Sequence, residues 1–166
     1  EWQQGRHYEV HGDPMASLEN AVVEVFWIGS PRCEALEPVL YEWEKEEKPE
    51  SVNFIQIPAT YNKRARKHAK FVYVMQAGDA LESLENRKKL YDGLKPDSKI
   101  GRMDDTSKMA EAFGTTVAKL KKAGKSKRIK EMVARDQKIL KHYGSDIGEV
   151  PALLVDGKYV IQTDYV

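Results

Sequence analysis

The sequence predicts an α/β fold with an inserted helical domain. Three observations carry that expectation. A short apolar run, AVVEVFW at 21–27, is followed by an amphipathic stretch and then by a second apolar run, VNFIQI at 52–57. Between residues 62 and 145 strand signals vanish and helical periods take over. Two apolar runs then return, PALLV and KYVI, joined by Asp156-Gly157.

Each element has a local reason. Residues 21–27 are short, β-branched and aromatic, the composition of a buried strand. The stretch from Pro31 to about residue 47 reads as a helix, because Leu36, Val39, Leu40 and Trp43 fall at i, i+3, i+4 and i+7 in a single apolar stripe, and Pro49 marks its end. Ser30-Pro31 opens it: serine caps a free backbone N–H of the first turn, and proline suits the first helical position. With 52–57 as the next strand, the short links imply a parallel pair joined by a right-handed crossover.

In the helical block, HAKFVYVMQA (68–77) and ALESLENRKKLYDGL (80–94) are helix candidates, and SKMAEAF ends at Gly114 as a C-terminal cap. KSKRIKEMVARDQKILKHYG is the clearest helix. Ile129, Met132, Val133, Ile139, Leu140 and Tyr143 share one face, Ser126 caps it and Gly144 stops it. The basic run KLKKAGKSKRIK at 119–130 reads as a solvated junction between helices. Asp156-Gly157 is a two-residue hairpin turn.

Composition excludes several functions. A net charge of +1 gives no global field for nucleic acid. No apolar stretch approaches the roughly 20 residues of a membrane-spanning helix. One cysteine excludes an internal disulfide and any multi-cysteine zinc site. His7, His11, His68 and His142 lack metal-ligand spacing and read as surface or half-buried residues, so no metal and no cofactor is expected.

The chemistry points to GSPRC at 29–33. The fold order places residue 30 at the C-terminal end of a strand and the start of a helix, where ligands and active groups gather in α/β sheets. A sulfur there meets the positive end of the helix dipole and becomes reactive. Here the pattern is SxxC, and a hydroxyl cannot form a disulfide. Glu24, inside an apolar strand, is either a strand-edge acid reaching solvent or a buried proton acceptor below the helix. Val150-Pro151 opens a strand, where proline is tolerated; a cis bond there would present the backbone of Val150 to an extended peptide.

GRHY at 5–8, VVEVFWIGSPRC at 22–33, ALEPVL at 35–40 and EVPALLVDGKYVI at 149–161 resemble the DsbA-type thiol:disulfide oxidoreductases, thioredoxin-fold proteins with a helical insertion found in the bacterial periplasm. The resemblance implies a thioredoxin-like domain from 1–61 and 146–166, with the insertion at 62–145. It puts Ser30 in the place of the attacking cysteine, Pro31 and Arg32 as the dipeptide that tunes redox poise, and Cys33 as the resolving cysteine. It further makes Glu24 the buried acid, Pro151 the cis-proline, Val150 its peptide-binding neighbour and Pro38 the helix-kink proline. The implied substrates are unfolded or reduced exported proteins, and the implied partner is a membrane reoxidase of the DsbB type. The implied compartment is the periplasm, with a leader removed before Glu1. The family's final helix, expected after the hairpin, is missing from these 166 residues.

With Ser30 the expected state is inactive as a dithiol oxidase, whether the serine is natural or engineered. Two other readings stay open. One is a non-redox, chaperone-like module holding extended peptides. The other is a serine-dependent glutathione enzyme similar to the kappa-type transferases, which also place Ser-Pro at this helix start.

Overall fold

The computed structural model describes residues 1–98 and 106–166; residues 99–105 of the expected insertion lie outside the described residues. The chain divides into two compact units, Glu1–Ile57 with Gln137–Val166, and Pro58–Asp136.

The first unit is built on a five-stranded sheet of β1 (Tyr8–Val10), β2 (Ala21–Phe26), β3 (Asn53–Pro58), β4 (Ala152–Val155) and β5 (Tyr159–Ile161), in the order β1-β5-β4-β2-β3. β4 pairs antiparallel with β2, setting Glu24 opposite Leu153, and antiparallel with β5. β2 is an inner strand between β4 and β3 and is buried nearly throughout, as its composition requires.

Helix α1 (Pro31–Glu42) follows β2 and ends in a single wider turn, Trp43–Glu47. Its buried face corrects the expected stripe. Leu36 and Leu40 are buried against Leu153, but Val39 is 47% exposed, and Cys33 and Glu37 complete the inward face. The spacing 33, 36, 37, 40 is helical, yet one member is an acid, so a reading based on apolar residues selects the wrong neighbour. Trp43 sits half-buried with its ring edge-on to Phe54.

The hairpin turn carries the expected Asp156 and Gly157, both at positive φ, and Lys158 N–H donates to the Val155 carbonyl. The expected two-residue loop is one residue longer. Pairing begins at Val155 and Tyr159, and the Lys158 carbonyl instead accepts from His11 N–H. Glycine is needed at 157. A Cβ there would come within 3.0 Å of both the Met15 carbonyl and the Tyr143 hydroxyl, and that hydroxyl donates to the Gly157 carbonyl at 2.6 Å.

The second unit holds α2 (Lys63–Ala77), α3 (Leu84–Asp92), α4 (Thr106–Ala112), α5 (Val117–Gly124) and the first part of α6 (Lys127–Tyr143). Helix α2 starts five residues before its apolar run because Asn62 caps it, accepting from Ala65 N–H at 2.8 Å. Helix α3 is shorter than expected, with Ser83 as its cap. Most of the basic run proves helical: α5 covers 119–124, and only residues 125 and 126 link it to α6. Ser126 caps α6 as expected, accepting from Ile129 N–H. His68, expected at or near the surface, is 1% exposed in this unit, because it lies on the inward face of α2 with Ala65, Ala69 and Val72. Among the described residues no helix is long and apolar enough to cross a membrane.

Candidate active site

Ser30 caps α1. Its backbone is extended, and its Oγ accepts from Cys33 N–H at 3.2 Å. Pro31 takes the first helical position, and both Pro31 and Arg32 are exposed. Gly29, just before the cap, lies under the Trp27 indole: a Cβ there would fall 2.3 Å from the ring. A larger residue at 29 would therefore have to displace the Trp27 ring.

Cys33 is fully buried, one turn inside the helix. Burial pushes its thiol above the ordinary range. Hydrogen bonding with the Ser30 side chain and the Trp27 backbone partly offsets that, while the nearby carboxylates Glu24 and Glu37 add to it.

Glu24 is 0% exposed, which overturns the strand-edge reading. It lies on the inner strand β2, and its Oε1 accepts from Gln56 Nε2 at 2.9 Å. The Val150–Pro151 bond is cis. An open cleft of about 200 Å³ is lined by Arg32, Leu36 and Val39 of α1, by Pro151, and by Thr163 and Asp164. Arg32 Nη2 donates to Thr163 Oγ1 at 3.3 Å and to Asp164 Oδ1, and its Nη1 faces Glu149 at 3.8 Å. Thr163 Oγ1 in turn donates to the Pro151 carbonyl at 3.3 Å.

Arg32 and Pro151, 119 positions apart in the sequence, thus share one cleft and one hydrogen-bonded link. Val150 is half-buried and is not among the residues lining the cleft. Glu37, Gln56, Thr163 and Asp164 escape the sequence reading, which places Val39 in the apolar stripe and not in the cleft. Glu37 could have been found by counting one helical turn on from Cys33. Thr163 and Asp164 follow the hairpin with no local signal. Among the described residues no group of three or more His, Cys, Asp or Glu is placed to hold a metal ion.

A sheet with this strand order, a helix opening at Ser30 after β2, a cis-proline before β4 and an inserted helical unit define a thioredoxin fold with a helical insertion. Solved structures carry the same fold. DsbA of Pseudomonas aeruginosa superposes with a TM-score of 0.80 at 21% identity, covering 97% of this chain and 83% of that one. A cysteine-to-serine variant of Proteus mirabilis DsbA, in complex with the non-covalently bound peptide PWATCDS, superposes with a TM-score of 0.78 at 22% identity, covering 99% and 87%. In sequence, the thiol:disulfide interchange protein DsbA of Pseudomonas syringae pv. tomato is 27% identical over 141 residues, which are 83% of this chain and 63% of that protein. The chain therefore spans under two thirds of the length of the curated relatives it matches. No family model matches it. In sequence and in fold the chain is thus similar to the DsbA-type proteins of the thioredoxin superfamily.

Proposed function

We propose that this chain is the redox fold of a thiol:disulfide oxidoreductase that forms disulfides in exported proteins, with Ser30 in the attacking-cysteine position. The observation that carries the reading is the Ser30–Cys33 pair: a half-exposed hydroxyl at the helix start, and a buried thiol whose N–H it caps. In a CxxC protein the first sulfur is the one a substrate reaches, and the second closes the ring behind it. With oxygen at the first place no S–S bond can form, so this form is inactive as a dithiol oxidase.

The remaining parts have the chemistry the reading needs. Glu24, buried on β2, would accept and return the Cys33 proton. Pro31 and Arg32 would tune the first position, and the backbone at Val150, next to the cis-proline Pro151, would pair with an extended peptide. In the Ser30 form that peptide would be held without a covalent bond. The substrates would be reduced exported proteins, the reoxidising partner a membrane reoxidase of the DsbB type, and the compartment the periplasm.

The test is Ser30→Cys. In the oxidised variant, a substrate thiolate attacks the introduced sulfur, the S–S bond to Cys33 breaks, and Cys33 leaves as a thiolate that takes up a proton. A second substrate thiolate then attacks the mixed disulfide, releasing an oxidised substrate and the reduced variant, so two electrons pass from substrate to protein. Thiolate character and leaving-group pKa set these rates. The variant is expected to oxidise a reduced dithiol peptide at least about tenfold faster than glutathione disulfide at equal concentration. Parity with glutathione disulfide would reject the oxidase reading and leave peptide holding as the function.

A further inference from the structure

The helical unit carries a groove that redox chemistry leaves unused. It is a half-open cavity of about 720 Å³ between α2, α5 and α6. Its floor is carbon, supplied by Phe71, Val74, Leu120 and Ile129. Around it stand Lys67, Lys70, Lys121, Lys125 and Lys130, and among the described residues no acid lines it.

This distribution is not the average of the chain. Lys and Arg number 27 against 26 Asp and Glu, so a random lining would mix the signs. Five like charges around one hollow repel one another and concentrate a positive field at its mouth. Lysine stems also extend the apolar wall while their ammonium groups reach the rim. The cavity falls within the roughly 300–1,000 Å³ range of small-molecule sites. A polar anion such as a sugar phosphate would set hydroxyls against the carbon floor, and a neutral hydrocarbon would leave the lysines unused. The complementary ligand is hydrocarbon along its body and anionic at its end.

We propose that this groove binds a small anionic amphiphile, an alkyl chain of roughly ten to twelve carbons ending in a carboxylate, sized to the small-molecule class of cavity. The chain lies on Phe71, Val74, Leu120 and Ile129, and the carboxylate sits among the lysines.

The test is calorimetric titration of the whole chain with laurate, dodecyl maltoside and dodecyltrimethylammonium, each below its micelle threshold, with amide NMR shifts locating the site. Laurate is expected to bind one to one, with shifts confined to α2, α5 and the first half of α6. The neutral and cationic probes should bind at least about tenfold more weakly, and added salt should weaken laurate. Decanoate should bind roughly tenfold more weakly than laurate, as the loss of two buried methylenes requires. Two variants, each checked for wild-type circular dichroism, probe head and body separately. The double substitution Lys121→Glu and Lys125→Glu should weaken laurate at least about tenfold by reversing charge at the mouth. Gly124→Trp should abolish binding: a Cβ at 124 meets only Val74 Cγ2, at 3.8 Å, so the new ring has room to enter the groove. Equal affinity for all three head groups, shifts lying outside these helices, or unchanged laurate affinity in both variants would overturn the proposal. So would binding of an acidic amphipathic peptide by a groove that refuses laurate.

Discussion

The Ser30 hydroxyl accepts a hydrogen bond from the Cys33 backbone N–H at 3.2 Å, so the residue proposed for the attacking position is also the N-cap of the helix that carries the buried thiol. Removing the oxygen leaves a half-buried N–H without its acceptor. Ser30→Ala is expected to lower stability by about 1 kcal/mol, the usual value of such a cap. Urea unfolding checks it, and a loss below a few tenths would mean that water replaces the serine at no cost.

Cys33 should be slow to react. Its thiol is fully buried and held above the ordinary pKa range, first by burial and then by Glu24 and Glu37. Alkylation by iodoacetamide at neutral pH is expected to run roughly a hundredfold slower in the folded protein than in urea, since it must wait for local opening. The stability consequence has a definite sign. The folded pKa lies above the unfolded one, so the contribution is fully present below about pH 8.5 and is lost as pH rises from there toward the folded value. Stability that rises between pH 8.5 and 10 relative to Cys33→Ala would contradict the buried-thiol geometry.

Asp164 shields Arg32. The guanidinium contacts Asp164 and Glu149, half exposed, so breaking the pair should cost under about 1 kcal/mol of stability. Its effect on a sulfur at position 30 is electrostatic. In the Ser30→Cys background, Asp164→Asn removes a carboxylate from beside Arg32 and should lower the pKa of the introduced thiol by a few tenths of a unit. Titration of thiolate absorbance near 240 nm reads this directly; a pKa that stays put or rises would detach Arg32 from the site.

In the helical unit, Tyr73 donates to buried Asp136 at 2.7 Å, and Arg135 Nε donates to the other carboxylate oxygen at 2.9 Å. Burial still leaves the Asp136 carboxyl above its ordinary range, with the Tyr73 and Arg135 bonds partly offsetting it. A raised folded pKa means that its stability contribution is present below about pH 4 and is lost as pH rises through the folded value. Asp136→Asn, which cannot ionise, should gain stability relative to the wild type between pH 4 and neutrality, whatever its absolute level. Tyr73→Phe should cost about 2 kcal/mol at pH 7, where the carboxylate loses a buried donor. A wild-type-minus-Asn difference that is flat with pH would place the titration elsewhere.

The legibility of the chain follows the range of the interactions. Ser30-Pro31 predicts the start of α1, and Asp156-Gly157 predicts the hairpin, because capping and positive φ are decided within four residues. Helix ends were less legible. Asn62 extends α2 and Ser83 shortens α3 by capping outside the apolar period. In α6 the expected apolar face is interrupted by Asp136, which is as buried as Ile139 and Tyr143 around it. An apolar count skips such a position, since its burial depends on a tyrosine 63 residues away.

By itself the sequence determined the α/β order with its helical block, the capped helix at Ser30, the glycine turn and the SxxC spacing, all of which are local consequences of backbone geometry. Tertiary structure alone decided that Glu24 and Glu37 are buried near Cys33, that Val39 faces a cleft rather than the core, and that Thr163 and Asp164 tie Arg32 to Pro151. A side chain's burial and its partners are set by whatever chain returns to pack over it, and here that chain arrives more than a hundred residues later.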